Sequence, residues 1–300
     1  MVTLDLLIMY PKYQEVSTNS LSNSRVPQVK MSHNLSEEDL EELALEVYGD
    51  YTAERGPFAE YELPEYGVIY EIPEGSERAN FITLVVSINL ALETSGEEGL
   101  WQKALDLYET NEYRWLFDPD TVAEKSAVDL YSNVFKKVGW RADNAPAFWW
   151  NNARTISEKF GGDVRNLLEQ CEYDATKIQH FIQEEHPKRF PSLKGPKVSA
   201  LWLRLMDEEI HSLDSIDRID IPADRNILRI TNYLVEESLD ERTEENLESA
   251  RKIWNNVCER TDLVPVRLDK PLWLCGKSSP FDHLDYWGTW GREYLDSKLE

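Results

Sequence analysis

Cysteine is almost missing: the 300 residues hold three, Cys171, Cys258 and Cys275, far apart along the chain. An odd, scattered set suits neither a disulfide framework nor a thiolate metal centre. The five histidines, His33, His180, His186, His211 and His283, form no metal-spaced pair on one helix, so no metal is expected. Long apolar runs are also lacking. The longest, Phe81 to Leu92, is broken by Thr83, Ser87 and Asn89 and falls short of the roughly 20 residues that span a bilayer. The opening MVTLDLLIMY carries Asp5 and no basic residue, unlike a secretory signal. No P-loop, GxGxxG or GxSxG occurs, which removes the common phosphate cradles and the hydrolase elbow. The expectation is a soluble, cytoplasmic protein without membrane, metal or cofactor.

Positive charge is scarce as well. Lys and Arg number 32 against 56 Asp and Glu, a net charge of −24. Phosphate binding relies on Lys and Arg, so this balance lowers the expectation of nucleic acid and suits a halophile. What the chain does have is aromatic mass, with ten Trp, fourteen Tyr and nine Phe in a 41% hydrophobic composition. That composition describes a folded protein with a large core, not an acidic tail. The distribution of charge also differs from its sum. From His186 to Met206 there is no acid at all, while Lys188, Arg189, Lys194, Lys197 and Arg204 are basic.

Helical periodicity dominates and alternating strand patterns are scarce, so the fold class is all-α, in two helical subdomains about a central cleft. Ser36 followed by Asp39 and then Leu40, Leu43 and Val47 marks an N-capped amphipathic helix. Further helices are expected over 79–93, 99–108, 119–138, 146–160, 164–171, 175–185, 198–211, 225–237 and 244–261. Residues 57–75 read as loop, and 1–33 as an irregular arm. The division expected is 1–75, an arm and cap helix, and 76–300, the main domain. In Phe148–Arg154 (FWWNNAR) one Trp is expected in the core and Asn151 and Asn152 on the surface.

Chemistry concentrates in FPSLKGPKVSALWLR, Phe190 to Arg204. Pro191 and Gly195-Pro196 turn the chain between two helices, and Gly195 offers backbone freedom and an amide open to a phosphate. Lys197 stands at the start of the second helix, where the dipole disfavours an ammonium ion. A lysine that spends time neutral is a nucleophile able to form a Schiff base; a solvated lysine in a helix hairpin is the plainer alternative. Asp224, in IDIPADRNILRIT, stands at the N-cap of another helix. Such an Asp commonly just satisfies backbone amides, or else it orients a nucleophile and stabilises developing positive charge.

Together these elements resemble the helix–hairpin–helix DNA glycosylases, in which a turn ends in Gly-x-Lys and a Pro-Val-Asp segment opens a later helix. Gly195-Pro196-Lys197-Val198 is similar to the first and Ile221-Pro222-Ala223-Asp224 to the second. The spacing resembles the archaeal 8-oxoguanine branch, as do Ser87–Trp101, with its Ser-Gly loop and following Trp, and Asp269 four residues before Trp273. The resemblance spans roughly residues 76–276. It implies that Lys197 and Asp224 are catalytic, that Arg204, Asp269 and Trp273 contact the base, and that Gly195, Lys194, Lys188 and Arg189 hold phosphates. It further implies a monomeric base-excision glycosylase with lyase activity on 8-oxoguanine in damaged double-stranded DNA, in a prokaryotic, nucleoid-associated setting. Two departures stand out. Ser192-Leu193-Lys194-Gly195 lacks the first hairpin glycine, and Leu201 occupies a position where the branch has a base-stacking aromatic. An inactive DNA- or protein-binding relative, or an N-glycosidase acting on a modified nucleoside, are the alternatives.

Overall fold

The computed structural model describes residues 33–60, 63–88, 96–140, 144–235, 239, 243–277 and 289–299. The N-terminal arm, Asn89 and the Ser-Gly loop of 89–95 lie outside the described residues. Among those described there is no β-strand, only an isolated bridge between Asp174 and Asp214, and the helices of ten residues or more are nine. They are α1 (Glu37–Thr52), α2 (Ser76–Ile88), α3 (Gly96–Glu109), α4 (Ala145–Phe160), α5 (Pro196–Glu209), α6 (Arg225–Leu234), α7 (Glu244–Thr261), α8 (Pro265–Gly276) and α9 (Thr289–Leu299). The all-α class is therefore correct. No described helix is long and apolar enough to cross a membrane.

Local signals explain most boundaries. Ser36 accepts from the Asp39 amide and Asp39 answers at the Ser36 amide, a complete capping box for α1. α2 buries every residue from Arg78 to Ile88, as its nearly unbroken apolar run requires. α4 ends where Gly161 (φ 58°) and Gly162 (φ 80°) enter the left-handed region that only glycine adopts without strain.

Three readings need correction. The helix expected over 119–138 is interrupted: Pro119–Ala123 stops, Ser126 recaps Ala127–Leu130 with Asp129, and Tyr131–Phe135 winds as a π turn. The recapping is a second S-x-x-D box inside an apparently continuous period. Asn152 is fully buried, not on the surface, its amide donating to the Phe148 carbonyl beside buried Trp149. α8 was not anticipated, because Pro265 and Pro271 punctuate its sequence. Pro265 occupies the first turn, where no amide is needed, and Pro271 is carried within a helix that is buried along most of its length.

α5 lies at the centre, packed on α2 and on α8, and α6 packs along α8. Gly276 permits that second contact: a Cβ there would stand 2.4 Å from the Asn226 carbonyl oxygen. α1 lies against α7 and α8. The N-termini of α5 and α6 thus open toward the same end of α8.

Candidate active site

The chain enters α5 from a helix over Ala175–His180 that finishes in a π turn, Phe181–Glu185. Between them run turns closed by Lys194 donating to the Phe190 carbonyl (3.1 Å) and Gly195 donating to the Ser192 carbonyl (3.0 Å). The Gly195 amide, expected to face a phosphate, is spent within the turn. Nor is its backbone freedom used, since φ −67° and ψ 140° suit any residue. Lys188 and Lys194 are exposed. Arg189 is half-buried and faces Glu158 at 3.8 Å, so part of its charge is already answered.

Pro196 opens α5 and Lys197 follows, its side chain 19% exposed. Asp224 caps α6: its Oδ1 accepts from the amides of Asn226 (2.8 Å) and Ile227 (3.2 Å). The other oxygen, Oδ2, accepts from Lys197 Nζ at 2.9 Å and from the Trp273 indole at 3.2 Å. Capping of α6 and contact with Lys197 are thus divided between its two oxygens. Burial pushes the Asp224 carboxyl up, but the charge and hydrogen bond of Lys197 and the two cap amides hold it below the ordinary carboxylate range. It stays ionised beside the lysine.

Behind this pair lies a pocket lined by Lys197, Leu201, Arg204, Asp269 and Trp273, with Leu63, Glu65 and Pro222. Helical geometry explains the assembly: Lys197, Leu201 and Arg204 are four and then three residues apart on α5, and Asp269 and Trp273 four apart on α8. The free space among them is about 10 Å³, on the order of one water molecule.

Arg204 is fully buried and forks between two carboxylates. One Nη donates to Asp269 Oδ2 at 2.7 Å and the other to Glu65. Burial disfavours the guanidinium charge, but the carboxyl groups of Glu65 and Asp269 beside it hold it on. Burial also pushes Asp269 up, to about 8; Arg204 opposes this, and Asp224 and Glu65 reinforce it. Two buried atoms of this cluster, Arg204 Nε and Asp269 Oδ1, have no hydrogen-bond partner. Trp273 spends its N–H on Asp224, and the Lys277 ammonium sits 4.7 Å from its ring centre. Leu201 occupies the pocket wall where an aromatic was noted as missing.

Of the five residues singled out for catalysis and base contact, Lys197, Arg204, Asp269 and Trp273 line one pocket and Asp224 binds Lys197 and Trp273 beside it, whereas the four assigned to phosphates lie on the turn leading into α5. Trp101, which follows the Ser-Gly loop, is a core residue beside Phe81. Glu65 went unnoticed. It lies in a segment read as loop and 139 residues from Arg204, and no local pattern marks it.

In comparisons with known proteins, residues 196–284 match the AGOG family model, described as N-glycosylase/DNA lyase. The match takes in α5, α6 and α8, with Lys197, Arg204, Asp224, Asp269 and Trp273. Over these residues the resemblance to the archaeal 8-oxoguanine glycosylases is borne out. The search of curated proteins returned no match.

Proposed function

We propose that this protein is a base-excision glycosylase with lyase activity that removes an oxidised purine, 8-oxoguanine, from double-stranded DNA through a lysine Schiff base. The observation that carries the reading is the 2.9 Å contact between Lys197 Nζ and Asp224 Oδ2 at the mouth of a buried pocket. The lesion nucleotide leaves the stack, since this chemistry cannot be done on a paired base. The pocket walls must part to admit it, because the free space is about 10 Å³.

Lys197 releases a proton to solvent, with the ionised Asp224 orienting the neutral amine, and its nitrogen forms a bond to C1′ as the glycosidic bond breaks. Asp224 in its ionised form stabilises the positive charge that develops on the sugar. Asp269, Arg204 and Trp273 contact the base. Exposed Lys188 and Lys194, with Arg189 and the first-turn amides of α5, meet the phosphates around the lesion; such amides have no intrahelical acceptor. The protein acts as a monomer in this scheme.

Borohydride tests it. Wild-type protein on an 8-oxoguanine duplex should be trapped as a reduced Schiff base. Lys197→Gln should lose trapping and strand cleavage while keeping its fold. Normal trapping by that variant would assign the amine elsewhere, and no trapping by the wild type on any oxidised purine would favour a non-catalytic DNA-binding protein.

A further inference from the structure

The scheme above leaves one requirement unmet. When the glycosidic bond breaks, its electron pair departs with the base, which must take up a proton to leave as a neutral purine. Lys197 and Asp224 are occupied at C1′, and Trp273 spends its N–H on Asp224.

The cluster behind them has a surplus of carboxylate. Arg204 carries one positive charge and two carboxylates claim it, Asp269 from α8 and Glu65 from the segment before the short helix Tyr66–Ile69. All three side chains are almost wholly buried, at 2% for Arg204, 3% for Glu65 and 6% for Asp269. Two buried anions against one cation leave a net negative charge in low dielectric, and the least costly relief is a proton on one of them. Position selects which. Asp269 also faces the ionised Asp224, and its Oδ1 has no partner. That oxygen is where a proton can reside.

We propose that Asp269 is the general acid that protonates the departing base from Oδ1, and that Glu65 is a positioning residue that keeps Asp269 in its acid form by competing for Arg204. The inference rests on the glycosylase reading. In the step, Nζ of Lys197 bonds to C1′, the C1′–N bond breaks toward the base, and the Asp269 proton passes to a ring nitrogen of the base. Asp269 is left as a carboxylate on Arg204. The charged groups that face Asp269 are Arg204 and Lys197 from α5, Asp224 from the cap of α6, and Glu65. Burial as the main cause, with Asp224 and Glu65 adding to it, places the Asp269 titration at about 8.

The test compares two single-turnover reactions of the full chain across pH: excision from an 8-oxoguanine duplex, and cleavage of a duplex carrying a preformed abasic site. The second involves no departing base and reports on the Lys197–Asp224 pair. Wild-type excision should fall as pH rises through about 8, with abasic cleavage showing no such fall. Glu65→Gln removes a negative neighbour, so its falling limb should move to lower pH, and Asp269→Asn should lose the limb and excise at least tenfold more slowly. Abasic cleavage should be retained in both variants. A Glu65→Gln profile that superposes on the wild type would overturn the role of Glu65. A limb shared by excision and abasic cleavage would belong to Lys197 and Asp224, and would overturn the role of Asp269. Wild-type protein that neither cleaves nor is trapped on the abasic duplex would remove the glycosylase reading itself, and this inference with it.

Discussion

Asp224 joins two tasks in one carboxylate, and substitutions can separate them. Asp224→Asn keeps a side-chain oxygen to cap α6 but removes the charge beside Lys197. Base release should slow by roughly 100- to 10,000-fold, the usual loss for a positioned acid–base group, and at neutral pH the variant should melt below the wild type, because the ionised pair with Lys197 is lost. Asp224→Ala should slow release similarly and cost about 1 kcal/mol more in stability, because the cap is lost as well. The pH dependence has a definite sign. The folded-state pKa of Asp224 lies below its unfolded value, so its contribution to stability is present above the unfolded pKa and disappears as pH falls through the folded one. Chemical denaturation from neutral to acidic pH should therefore show a shallower loss of stability for Asp224→Asn than for the wild type. Equal slopes would mean that the Lys197 pair contributes nothing to folding.

Helix packing positions these side chains. α6 and α8 meet so closely at Gly276 that a methyl group there would overlap the Asn226 backbone. Asn226 follows Asp224 by two residues and α8 carries Asp269 and Trp273, so displacement at this crossing is transmitted to the site. Gly276→Ala should destabilise by about 1–3 kcal/mol, the ordinary cost of overpacking, and should also slow excision. Gly67→Ala is the control. It has open space around the added carbon and should be neutral or slightly stabilising, since alanine loses less backbone entropy in a helix. Thermal melts of the two variants measure the contrast. The same crowded crossing explains why α8 tolerates Pro271: burial of its other side chains against α6, α1 and α5 offsets one lost hydrogen bond.

For the whole molecule the net charge of −24 sets two opposing trends. Self-repulsion among carboxylates destabilises the folded chain, and salt screens it. Added salt should therefore raise the melting temperature. Duplex binding should weaken over the same range, because phosphate contacts release counterions. Replacing exposed Lys188 or Lys194 by Ala should reduce the slope of log K against log salt by roughly one each. Arg189→Ala should change it less, since Glu158 already answers that charge. A slope unaltered by both lysine changes would move the DNA surface away from the turn before α5.

Several features follow from sequence because they are local. Capping boxes, glycine turns and helical periods act over three or four residues, so Ser36, Gly161 and the start of α6 at Asp224 can be read directly. The i, i+4 and i, i+7 relations to Lys197 likewise put Leu201 and Arg204 on its face of α5. The resemblance to known glycosylases singled out Lys197, Asp224, Arg204, Asp269 and Trp273 as candidates, and the all-α class was legible for these local reasons. Which partners those residues meet was not. The amide of Gly195 turned inward, α8 formed across Pro271, and Glu65 reached Arg204 from 139 residues away. Those outcomes depend on how helices distant in sequence pack to bury their apolar faces and pair the charges caught between them. No window along the chain contains that information, and only the tertiary structure decides it.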